Sequence, residues 1–91
     1  MGIRLGNLTI AAVEEKHKFR LLDAEREMLE SMRQNNAQTI EDGKFHVFDE
    51  PMTMFVCDST ETRAAVLNIL SKYNSDIKGQ LGVGYQEANH G

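Results

Sequence analysis

Cysteine is almost missing from this chain: Cys57 is alone among 91 residues. A lone cysteine excludes an internal disulfide and any multi-cysteine zinc site, and it gives no sign of an oxidising compartment. Tryptophan is absent and Pro51 is the single proline. No apolar run approaches the roughly 20 residues needed to span a bilayer, and Met1 to Leu5 lack the apolar stretch of a secretory signal. We therefore expect a cytoplasmic protein with no membrane partner. Positive charge is also scarce: ten Lys and Arg against fourteen Asp and Glu give a formal net charge of -4. The basic residues form no run, so a phosphate backbone is repelled and nucleic acid is a disfavoured partner. His17, His46 and His90 share no metal-ligand spacing, so no metal is expected, and no motif calls for a cofactor.

What is present is ordinary globular material, 41% hydrophobic and 26% charged, enough for one small domain over residues 1–91 with a frayed tail over 86–91. A chain this short buries a modest core, and homodimerisation is a way to bury more. Residues 2–8 read as a short strand weakened by Gly2 and Gly6. From Ile10 to about Gln34 the apolar residues Ile10, Val13, His17, Leu21, Ala24, Met28 and Met32 recur at helical spacing. The pattern predicts one long amphipathic helix, capped by Thr9 or Asn7 and ended at Asn35-Asn36, with its fuller apolar face from Leu21 onward. Asp42-Gly43 reads as a turn. Lys44–Asp49 and the denser run Met52–Cys57 read as a β-hairpin turning at Asp49-Glu50-Pro51, its second strand central in a sheet. Asp58 or Ser59 caps a second helix carrying Val66, Ile69 and Leu70, and Ile77 to Tyr85 alternates as a last strand. The fold class is α+β. The order fits a ferredoxin-like βαββαβ arrangement with a long first helix, or else a helix beside a hairpin–helix–strand core.

Several residues invite functional readings. Glu14, His17, Lys18 and Glu25 lie within or beside the apolar arc of the first helix, and Phe19 falls almost opposite it, where it should be exposed. The five form a candidate partner-binding set, with Glu14 and Lys18 spaced for an ion pair; the alternative is a helix only partly buried there. Lys78, Gly79, Gly82, Gly84 and Tyr85 form a candidate ligand-binding set, since glycines let backbone amides approach an anion. No helix start follows them, as a phosphate loop requires, so a flexible edge strand fits better. Cys57, with Asp58 and His46 near it in sequence, lacks nucleophile-elbow glycines, and the expected register sets His46 across from about Met54. A small buried hydrophobe is the simpler role for Cys57. Phe48 and Phe55 would suit an RNA-binding sheet only with a basic face, which is missing. The reading that remains is a non-enzymatic protein-interaction module, a small acidic regulator or inhibitor of the kind viruses and mobile elements carry, acting on a protein partner. The alternative is an oligomer that binds a nucleotide or metabolite.

Overall fold

The computed structural model describes residues 6–86. Most of the expected first strand, and the tail beyond Gln86, lie outside the described residues. The elements are β1 (Gly6–Asn7), α1 (Ile10–His17), α2 (Asp23–Gln34), β2 (Gln38–Val47), β3 (Glu50–Cys57), α3 (Thr60–Leu70), a 3-10 turn (Ser71–Tyr73) and β4 (Leu81–Tyr85). This is the expected α+β class. The sheet runs β1-β2-β3-β4, antiparallel except for the parallel pair β3–β4, which α3 connects. A ferredoxin-like sheet needs its first strand in the centre; here β1 is an edge pair of residues on β2. The hairpin–helix–strand core is thus the arrangement found, with β3 central as expected. Among the described residues no helix is long and apolar enough to cross a membrane.

The long first helix does not form. Thr9 caps α1, its hydroxyl accepting from the Ala12 N–H at 3.1 Å. The helix then stops at Lys18, which sits in the left-handed region at φ 60°. That conformation costs a non-glycine residue about 1–2 kcal/mol. The return is Phe19, exposed on a continuous helix but here only 8% accessible, with its ring centroid 5.7 Å from that of Tyr73. Full burial of such a side chain contributes about 1.5–3 kcal/mol, enough to outweigh the strain. Phe19 is therefore a core residue, contrary to the sequence expectation. The expected division of the helix is not found: the first half buries Ile10, Val13 and His17, and the stretch from Leu21 buries Leu21, Glu25 and Leu29 while leaving Met28 51% exposed. The end of α2 follows expectation: Asn36 takes φ 65°, and the Ala37 N–H reaches the Met32 carbonyl at 2.8 Å, a Schellman closure.

The hairpin turns one residue earlier than its sequence indicates. Phe48 (φ 50°) and Asp49 (φ 66°) are the two loop residues, and Val47 pairs with Glu50. Asp42-Gly43 is no turn; it opens a bulge inside β2, with Gly43 at φ 82°, between the pairs Asp42–Thr53 and Phe45–Met52. Ser59 rather than Asp58 caps α3, accepting from the Thr62 N–H at 3.1 Å. Ile40 and Phe55 of the sheet join residues of α1, α2 and α3, including Val13, Leu29 and Val66, in one buried cluster. All three helices therefore cover the same face of the sheet.

Candidate functional site

The break between α1 and α2 is held by carboxylates. Glu14 accepts from Arg26 Nε and Nη2, both at 2.9 Å, and from the Leu21 N–H at 2.7 Å. Burial works against its charge, but the Arg26 hydrogen bonds, the Leu21 N–H and the guanidinium charge prevail and hold its pKa below the ordinary value. Arg26 is raised in turn, first by the Glu14 hydrogen bond and then by that from Asp23. Glu25 takes the Leu22 N–H at 3.1 Å, Lys72 Nζ at 2.7 Å and the Tyr73 hydroxyl. The Lys72 hydrogen bond lowers its pKa most, and that from Tyr73 comes next. The Leu21 and Leu22 N–H groups, just ahead of α2, are thus satisfied by side chains. Glu14 pairs with Arg26, not with Lys18 four residues on.

His17 is buried in a polar chain. Its Nδ1 donates to the Lys78 carbonyl at 2.6 Å, and its Nε2 lies 2.8 Å from the Thr53 hydroxyl. Thr53 Oγ1 is 3.0 Å from Asp42 Oδ1, and Lys16 Nζ reaches both Asp42 oxygens. The chain ties α1 to β2, β3 and the segment before β4. Thr53 is fully buried, so its hydroxyl offers a reactant no access despite its imidazole neighbour. Lys78 is fastened on both sides, since its N–H also donates to the His17 carbonyl at 2.8 Å. Gly79 follows at φ 85°, where an added Cβ would sit 3.4 Å from His17 Nδ1. Its glycine is required by backbone geometry beside a buried ring.

A cleft of about 680 Å³ opens at the joint and brings Glu14, Lys18, Phe19 and Lys78 from the two candidate sets together with Glu15, Arg20 and Asp76. Three cations face three carboxylates there, so the cleft selects neither an anion nor a cation. His17 and Glu25 do not line it. Gly82 and Gly84 lie elsewhere, within β4 and paired with Met54 and Val56, while Tyr85 pairs with Cys57. They form no anion cradle. The Met52 and Met54 side chains lie across the two glycines, with Met52 Cε 2.8 Å from where a Gly82 Cβ would be.

Cys57 is buried and free of any disulfide. Burial, then the nearby Asp58 charge, pushes its thiol pKa up to about 11, the opposite of an activated nucleophile. His46 pairs with Pro51 rather than near Met54, at the far end of the hairpin. Among the described residues no three His, Cys, Asp or Glu side chains converge as a metal site would require. Phe55, 1% exposed, faces the core and cannot stack a base.

The second face of the sheet carries the remaining feature. The pairings Phe45–Met52, Val47–Glu50, Met54–Gly82 and Val56–Gly84 place Phe45, Val47, Met52, Met54 and Val56 together on the side away from the helices. All five are half-buried, and no described element covers them. Sheets with one open face normally present polar residues there; this one presents an apolar patch. At its end projects Phe48, 96% exposed. The alternation of Phe45 and Val47 was legible in the sequence. What the face lacks, a covering helix, was not. Comparison with protein-family models, curated proteins and solved structures returns no match.

Proposed function

We propose that this chain is a non-enzymatic protein-interaction domain whose docking surface is the uncovered apolar face of the sheet together with the hairpin tip. Phe48 carries the reading. A two-residue hairpin loop with positive φ at both positions favours Asn-Gly or Asp-Gly. Phenylalanine there incurs backbone strain of about 1–2 kcal/mol and leaves an aromatic ring in water. Among the described residues nothing packs over the ring to offset either cost, and residues that carry uncompensated strain are drawn disproportionately from functional contacts. The contiguous patch of Phe45, Met52, Met54 and Val56 supplies the surrounding apolar area expected of an interface.

Two measurements test the reading. A photo-crosslinking residue at position 48, introduced in the native cell, should yield adducts with a protein; the same residue at Glu61, exposed on α3 in the other layer, should not. Equal yields at both positions, or none at 48, overturn it. Phe48→Asn should stabilise the fold by about 1 kcal/mol, roughly 4–8 °C in Tm for a domain of this size, while abolishing the adducts that depend on the tip.

A further inference from the structure

We infer that the open edge of β4 pairs antiparallel with β4 of a second copy, joining two four-stranded sheets into one of eight strands. This surface is distinct from the apolar face and hairpin tip proposed above, and the two readings stand or fall separately. β4 is the last strand in the sheet order. The Thr53 N–H donates to the Gln80 carbonyl, and the Gln86 N–H donates to the Cys57 carbonyl. In a parallel ladder every second residue bonds to the neighbouring strand, so Gln80, Gly82, Gly84 and Gln86 face β3. Leu81 and Val83 turn their N–H and carbonyl groups outward, where no described strand meets them. Free edges are normally blunted by charge, proline or a bulge. Leu81-Gly82-Val83-Gly84-Tyr85 has neither charge nor proline, and it pairs with β3 without a bulge.

The helix-facing side of this edge is apolar. Leu81, Val83 and Tyr85 share the face of Thr53, Phe55 and Cys57, their register partners. Leu67 joins them from α3. There Val66, Ile69 and Leu70 point to the core, while Ala65, Asn68 and Lys72 line a groove shared with α2. At about 100° per residue, Leu67 falls on the flank away from α2. Since α2 packs on β2 and α3 on β3 and β4, that flank overhangs the β4 edge, and Leu67 is 38% exposed on it. A second copy fits this edge better than a lone strand. A two-fold axis at Val83, the central residue of β4, sets Val83 against Val83 and Leu81 against Tyr85, apolar cross-strand pairs with no opposed charges. Because α3 packs on both β3 and β4, its axis stands about one strand spacing, about 4.8 Å, from the two-fold axis. The two α3 helices then run antiparallel about 10 Å apart, the spacing of packed helices, and each covers the other's Leu67. A bare peptide strand would leave Leu67 in water. Charge agrees: Arg63, one turn before Leu67 on the same flank, comes beside the C-terminal end of the other copy's α3, where a cation is favoured.

Sedimentation equilibrium of the full chain, combined with hydrogen exchange of the β4 amides, is the test. The chain should dimerise below about 100 µM, and the outward Leu81 and Val83 amides should gain protection as protein concentration rises. Leu67→Lys, at an exposed helical position, should weaken self-association at least about tenfold. Val83→Pro should weaken it similarly, because an edge strand tolerates proline where the N–H points outward. Circular dichroism checks that both variants fold; if Val83→Pro does not, Leu67→Lys decides. Phe48→Asn, on the other surface, should leave the dimer intact. A chain still monomeric at that concentration overturns the inference. So does a dimer that Leu67→Lys or a folded Val83→Pro leaves unweakened, or one that Phe48→Asn breaks. A dimer whose Val83 amide exchanges equally fast at low and high concentration also overturns it. A monomer that yields adducts from position 48 loses the edge pairing and keeps the docking face.

Discussion

The Cys57 thiol stands at the end of β3 with its side of the strand against the core. With its pKa raised to about 11 from an ordinary 9.0, the thiolate fraction at pH 8 falls about 100-fold from ionisation alone, before access is counted. Iodoacetamide at pH 8 should leave folded protein unmodified and label it only as urea unfolds it; rapid labelling without urea would contradict the burial. His17 is the more demanding residue. Replacing it with leucine keeps the volume apolar but leaves the Lys78 carbonyl without its ring donor and the Thr53 hydroxyl with Asp42 alone. Unsatisfied buried polar groups cost about 1–3 kcal/mol each, so His17→Leu should lower the urea-unfolding free energy by about 2–4 kcal/mol. A loss under about 1 kcal/mol would mean that the ring is not a structural tie. Its helical spacing placed His17 in the core stripe; its partners Thr53 and Lys78 come from distant segments that spacing does not reach.

Among the elements, the joint between α1 and α2 decides the helical layer. Local propensity argues for one helix, since Lys18-Phe19-Arg20 contains neither glycine nor proline. Two departures from the stripe point the other way: carboxylates at 14 and 25 on the apolar arc, and Phe19 off it. A break at 18–22 resolves both, burying Phe19 and turning Glu14 and Glu25 toward the freed amides of Leu21 and Leu22. Lys18→Gly separates the two structures by sign. In a continuous helix it would cost about 1 kcal/mol; at a left-handed position it should stabilise by about 1 kcal/mol, read from the thermal midpoint. The hairpin was legible in outline from Phe45, Val47 and the run after Pro51. Its two-residue turn was not, because Phe48 is the kind of residue that turn normally rejects.

In the molecule as a whole, the described residues form two layers, three α-helices on one side of a four-stranded sheet and, on the other, an apolar face that no described element covers. The acid stability of the fold depends on the joint. Glu14 and Glu25 both titrate below the ordinary 4.5 when folded, so their stabilisation is complete above that pH and is lost as pH falls below it toward their lowered values. Thermal melts should show a midpoint that drops below about pH 4.5, and the double variant Glu14→Gln/Glu25→Gln should be less stable at pH 7 but less sensitive to acid. An equal acid sensitivity in both proteins would remove the joint as its source.

Periodicity, turn residues and composition were enough to establish an α+β domain, its central strand, its second helix, the Asn36 closure and the burial of Cys57. These follow from local preferences and from which side chains avoid water, both written residue by residue. The break at Lys18, the burial of Phe19, the sheet order and the bare face depended on the assembled chain. Each is settled by partners far apart in sequence: Tyr73 for Phe19, Arg26 for Glu14, Lys72 for Glu25, Lys78 for His17. A strained backbone and a displaced helix become favourable only once those partners surround them, and no described element covers the second side of the sheet because all three described helices are committed to the first.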